Sequence, residues 1–129
     1  MCIRDSPLID KYIINNLLNI YKEKDYDYVG NVNPSTFPDG LDVEIIKLSM
    51  LKKSFTENKS HSNREHVTLH IRKNNKYKKY NMTYKNNLSR IRWTLDTEND
   101  LKLIKKIAMT FHPKIHFEWK EIYKLRKFN

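Results

Sequence analysis

Apolar residues recur at helical spacing in the stretch IDKYIINNLLNIYKEK. Ile13, Ile14, Leu17, Leu18 and Tyr21 fall on one face, and Asp10 stands where a helix N-cap belongs. DYDYVGN, from Asp25, reads as a short strand. NPSTFPDG (Asn33 to Gly40) carries two prolines and the turn pair Asp39-Gly40, so it reads as a loop. Leu41, Val43 and Ile45 then alternate with Asp42, Glu44 and Ile46, the period of a strand, and LSMLKKSF follows as a short helix.

KSHSN is a polar break. Ser62 stands three residues before Glu65, the spacing of a capping box, and opens a predicted helix with Val67, Leu69 and Ile71. YKKYNMTYK is polar and lysine-rich, as exposed edge strands often are. IRWTLD, with its aromatic and β-branched residues, predicts a further strand running into the helix TENDLKLIKKIAMTF. Thr97 caps that helix, Asp100 lies three residues on, and Leu101, Ile104, Ile107, Ala108 and Phe111 are expected to form its apolar face. Beyond His112-Pro113, a last helix presents Trp119, Ile122, Tyr123 and Leu125. Strands alternating with helices predict an α/β fold, a sheet with helices packed on its faces. Such folds take ligands beyond the carboxyl ends of their strands, and Asp96, the last residue of IRWTLD, is expected at such a place.

Length bounds the 129-residue chain to one domain or part of one. Its 39% of hydrophobic residues, with 12% aromatic, can build a core. No apolar run approaches the roughly 20 residues of a membrane span, and no signal segment is recognisable, so the expected location is cytoplasmic, without membrane attachment. Cys2 is the single cysteine, which excludes intrachain disulfides and cysteine-based metal sites. The net charge of +10 and pI near 9.6 ordinarily point to a polyanionic partner. Here the basic residues are scattered, and heavy use of Lys, Asn, Ile and Tyr matches AT-rich codons. The charge therefore reads mainly as a solvated surface, with a small nucleic-acid-binding module or a non-catalytic interaction subunit kept as the alternative.

Local pattern offers one good chemical candidate. A carboxylate at Asp96, beside a helix N-terminus, can hold Mg²⁺ shared with a phosphate, although capping by Asp96 or Thr97 explains the same residues. His66 and His70 have the i,i+4 spacing of metal ligands, but no third ligand follows at convincing spacing. His112 and His116 repeat the spacing across Pro113, which disfavours one helix through both. Trp93 and Trp119 read as core. With Gly30 and Gly40 as its two glycines, the chain has no Gly-rich phosphate loop.

Four stretches in register carry a family resemblance: DSPLID, TFPDGLDVE (Thr36 to Glu44), REHVT (Arg64 to Thr68) and IRWTLDTENDL (Ile91 to Leu101). Together they resemble the cytidylyltransferases of the spore-coat-polysaccharide type, relatives of the acylneuraminate and CMP-Kdo synthetases. The resemblance spans residues 7 to about 110. It implies a Rossmann-like nucleotide-diphospho-sugar transferase fold with a mixed sheet and flanking helices. It also implies transfer of CMP from CTP to a sugar hydroxyl, with Mg²⁺ as cofactor and CTP and a sugar as substrates. A homodimer is among the expected assemblies.

Residue by residue, the family's G-D-x-P-L motif places a metal-side aspartate at Asp5, with Arg4 in place of the glycine. The D-T-x-x-D-L motif places a second at Asp96, with Thr97, Asp100 and Leu101 matching and Glu98 in place of the usual proline. The resemblance implies that TFPDGLDVE and REHVT shape the sugar side of the cleft or the subunit contact, and Asp39, Arg64, Glu65 and His66 become the candidates for binding the sugar. Turn chemistry at Asp39-Gly40 and helix capping at Glu65 explain those residues equally well.

Read back into codons, the opening MCIRDS matches a transposon end used in library preparation. Residues 1–6 are therefore expected to be adapter sequence, with the last codon shared with the genome, and Asp5 counts as a ligand only if native. Residues 7–129 are expected to be the carboxy-terminal half of one nucleotidyltransferase domain, inactive without the triphosphate loop.

Overall fold

A computed structural model describes residues 6–57 and 68–128. In chain order the elements are α1 (Lys11–Lys24), β1 (Tyr28–Gly30), β2 (Glu44–Ile46), α2 (Leu48–Glu57), α3 (Leu69–Lys73), β3 (Lys79–Asn81), α4 (Glu98–Phe111) and α5 (Trp119–Lys124). Three strands form a mixed sheet in the order β2-β1-β3, with β1 antiparallel to β2 and parallel to β3. This is the α/β arrangement that the alternating sequence pattern predicts, and β3 is the expected edge strand.

Alternation along β1 divides the packing between the two faces. Val29 points into the main core with Ile13 and Leu17 of α1. Tyr28 points the other way, into a smaller cluster with Ile71 of α3 and Tyr77. Helices thus cover both faces. The main core also takes Phe37, Leu41, Trp93, Ile107, Trp119, Ile122 and Phe128, which draws the irregular segments and the last two helices onto one side. Trp93 is fully buried, and its indole N–H donates to the carbonyl of Phe128 at 2.9 Å, so the polar edge of the ring is satisfied inside the core.

Capping fixes where the helices start. Asp10 Oδ1 accepts from the backbone N–H groups of Tyr12 (2.8 Å) and Ile13 (3.2 Å), as the sequence predicts for α1. Its second oxygen accepts the N–H of Trp119 at 2.9 Å. One buried carboxylate therefore serves the first turns of α1 and α5, which begin more than a hundred residues apart. Thr97 and Asp100 form the reciprocal capping box of α4.

Three expectations need correction. IRWTLD is not a strand: its one sheet-like contact is an isolated parallel bridge between Arg92 and Asp39. Burial of Trp93 anchors the segment, and its partner is the irregular TFPDG loop, which offers no ladder to extend. Asp96 consequently sits just before the Thr97 cap of α4, not at a strand end. The buried side of α4 is also rotated from the predicted face. Ile107 is buried, with Leu103 and Phe111 packed against the core, while Leu101 and Ala108 are exposed. The apolar stripe of α4 is wider than the core contact, and its remainder, with Ile104 and Ala108, borders a surface groove beside Pro7, Leu8 and Phe117.

The Ser62–Glu65 capping box lies outside the described residues. Leu69 and Ile71 of the helix it was expected to open do lie in α3. No helix among the described residues is long and apolar enough to cross a membrane.

The double duty of Asp10 predicts a large effect for a small change. Asp10→Ala should lower stability by about 2–4 kcal/mol, the sum of a lost cap and an unpaired buried N–H, read from denaturant unfolding monitored by tryptophan fluorescence.

Candidate functional site

The loop Thr36 to Gly40 and the segment Ile91 to Asp96 meet through their backbones. Asp39 N–H donates to the carbonyl of Ile91, and Trp93 N–H donates to the carbonyl of Asp39, both at 2.8 Å. The approach requires glycine next in line. Gly40 has φ +100°, and a Cβ there would stand 2.8 Å from the carbonyl carbon and oxygen of Trp93. The turn pair Asp39-Gly40 thus presents Asp39 directly beside Arg92.

Arg92 is the hub of the site. Its Nη1 lies 3.4 Å from Asp39 Oδ2, and its Nη2 contacts Asp96 Oδ2 and lies 3.4 Å from Asp100 Oδ2. Three carboxylates from two segments therefore surround one guanidinium. Asp39, Arg92 and Asp96 are each a little under half exposed, whereas the Asp100 side chain is 15% exposed.

Asp100 is held by the backbone as well. Its Oδ2 accepts the N–H groups of Asp96 (3.1 Å) and Thr97 (2.9 Å), and its own N–H donates to Thr97 Oγ1 at 3.2 Å. These bonds, that from Asp96 N–H first, together with the Arg92 guanidinium, hold its carboxyl at about 2. The same carboxylates raise the affinity of Arg92 for its proton, the Asp100 contact first.

The predicted residues divide cleanly. Asp39 and Asp96, assigned from the sequence to the sugar side and the metal side, come together across Arg92. Asp5, Arg64, Glu65 and His66 lie outside the described residues. Sequence reading missed Arg92 and the charge role of Asp100. Arg92 sits four residues before Asp96 and eight before Asp100, but nothing local marks it as the partner of Asp39, 53 residues earlier.

The fit to a divalent cation is partial. Asp96 is a hard oxygen ligand, and its Oδ1 makes no hydrogen bond among the described residues. Its other oxygen is paired with Arg92, and Asp100 is committed to the cap. Among the described residues, no three His, Cys, Asp or Glu side chains form a group that could hold a metal. Asp96 thus fits a site of the kind in which one or two carboxylates share the ion with substrate phosphates.

No protein-family model and no curated protein matches the chain. A solved structure does match, with a TM-score of 0.86 and 26% identity. It is a cytidylyltransferase from Leptospira borgpetersenii serovar Hardjo-bovis (strain JB197). The match covers 95% of this chain and 52% of the other, so the chain spans about half the length of that neighbour. The fold is that of a cytidylyltransferase-like nucleotidyltransferase, in agreement with the fold that the four sequence stretches imply.

The depressed carboxyl of Asp100 has a definite pH signature. Because its folded value lies below the ordinary 3.8, its stabilising contribution is complete above about 4 and is lost as pH falls through about 2. An NMR titration of the aspartate carboxyl carbons should show Asp100 with a midpoint near 2. In Arg92→Gln the midpoint should rise but stay below 3.8, because the two backbone N–H donors remain.

Proposed function

We propose that the chain is the carboxy-terminal half of a nucleotidyltransferase that joins CMP, from CTP, to a sugar hydroxyl. The observation that carries this reading is the convergence of Asp39 and Asp96 on Arg92 within a cytidylyltransferase-like fold. In the reaction, a sugar hydroxyl oxygen attacks the α-phosphorus of CTP. The bond from that phosphorus to the bridging oxygen breaks, pyrophosphate leaves with the electron pair, and the hydroxyl proton passes to solvent. The product is a CMP-sugar of the kind used to build surface polysaccharides.

The chain's own residues have separable tasks. Asp96 would hold Mg²⁺, which, when bound, neutralises phosphate charge. Asp39 would accept hydrogen bonds from sugar hydroxyls. Arg92 orients both carboxylates and balances part of their charge while substrate is absent. Asp100 secures the α4 N-terminus, so that the backbone beneath Asp96 does not yield when the carboxylate changes partner. The amino-terminal half would bring the triphosphate loop, and on this reading the 129-residue chain alone turns over no CTP.

The test is to express the whole reading frame of the source gene and measure pyrophosphate release from CTP with Mg²⁺ and a panel of sugars. Release that depends on both CTP and a sugar, and falls at least 100-fold in Asp96→Asn, is the expected result. Absence of CTP turnover with every sugar, or full activity in Asp96→Asn, would remove the proposal.

A further inference from the structure

Helix α4 carries more apolar surface than the core takes from it. It meets the main core through Leu103, Ile107 and Phe111. Leu101, Ile104 and Ala108, at i, i+3 and i+7, form a second stripe roughly a quarter turn around the helix. Beside this stripe, Met109 is 78% exposed and Ile115 is 80% exposed, the highest values for large hydrophobic side chains among the described residues. Single apolar residues in water are ordinary, but here Ile104, Ala108, Met109 and Ile115 line one groove of about 660 Å³. Pro7 and Leu8 form its opposite wall.

The lining chemistry narrows what can fill the groove. Its polar members are His112 and Lys114. The Lys114 ammonium already donates to both oxygens of Glu121, at 2.7 and 2.9 Å. A small-molecule site sets several convergent polar groups around an apolar floor, and this groove has no such set. The Lys114–Glu121 pair also cancels the charge that would draw an anionic lipid surface or an acidic peptide. What fits is another apolar protein surface.

The position of Pro7 and Leu8 points to which surface that is. The segment is pinned on its far side, where Ile9 N–H donates to the Ser6 carbonyl at 3.3 Å and Asp10 binds both its own helix and Trp119. Covalent continuity therefore places any native polypeptide before Pro7 at the edge of the groove. The cytidylyltransferase neighbour has about as much chain again, since the match covers 52% of it. A tethered segment acts at an effective concentration of roughly millimolar, which favours it over a separate molecule for the same surface.

We propose that the α4 groove is an internal docking surface, filled in the whole protein by apolar side chains of the amino-terminal half. This rests on the reading above that the chain is the carboxy-terminal half of a longer enzyme. The second stripe of α4 is then core shared between the halves, and Met109 and Ile115 are its contacts.

Methionine oxidation by peroxide reads the groove directly. In the protein expressed from the whole reading frame, Met109 should oxidise at least about tenfold more slowly than in the same protein unfolded by guanidinium. In the 129-residue chain the two rates should be close, because Met109 is exposed there. The double substitution Met109→Lys/Ile115→Lys should lower the thermal midpoint of the whole-frame protein by about 5 °C or more, and leave that of the 129-residue chain nearly unchanged. Oxidation of Met109 at the unfolded rate in the whole-frame protein overturns the proposal, as does a double substitution that shifts neither midpoint. Protection that rises with protein concentration assigns the groove to a second copy and overturns it likewise. A reading frame with no half upstream of Pro7 defeats the proposed reaction and this surface together. A long frame that turns over CTP but leaves Met109 reactive defeats this surface alone.

Discussion

No side chain fits between residue 40 and the backbone of Trp93, and the candidate site is built on that contact. Gly40, at positive φ, lets the TFPDG loop lie flat against the segment that carries Trp93 into the core. Two 2.8 Å backbone hydrogen bonds then lock Asp39 beside Arg92. The tryptophan is held from behind by its indole bond to Phe128. An exposed cluster of charges thus rests on a buried aromatic anchor. Ion pairs this exposed contribute little to stability, so the anchor and not the charges must fix the geometry.

That balance bears on function. Arg92 occupies the carboxylates that a divalent cation would need, yet it holds them by half-exposed contacts that water and salt can replace. Asp96 can exchange its partner at small cost. Asp100 cannot, because two backbone N–H groups bind its carboxylate at the first turn of α4 and its own N–H donates to Thr97 Oγ1. The two aspartates of the D-T-x-x-D-L stretch therefore divide the labour, one free to change partner and one fixed. On the proposed reading, the guanidinium is a stand-in for the cation that arrives with substrate.

Features governed by near neighbours were legible in the sequence. The Asp10 cap, the Thr97–Asp100 capping box, the Asp39-Gly40 turn and the lysine-rich edge strand all follow from residues a few positions apart. So does the placement of Trp93 and Trp119 in the core. The α/β class followed from the order of the elements. Long-range features were not legible: Asp10 reaching Trp119, or Arg92 reaching Asp39. Each joins residues remote in sequence and has no periodic signature. IRWTLD misled because β-propensity reports a side chain suited to a half-buried surface, and Trp93 satisfies that in an extended segment without a ladder. The apolar stripe of α4 misled because it is broader than the surface it covers, so composition could not choose which side faces inward.

Paramagnetic broadening by Mn²⁺, as a substitute for Mg²⁺, tests the central claim most directly. Amide resonances of the chain would be recorded with Mn²⁺ and CTP at rising concentration, a measurement sensitive even to weak binding. If Asp96 exchanges Arg92 for a cation, broadening should be strongest at Asp96 and Thr97 and should extend to Asp39 and Arg92, while α1 and β3 stay sharp. Broadening centred on His112 and His116, or spread evenly over the acidic surface, would contradict the account and leave Asp96 as a structural partner of Arg92.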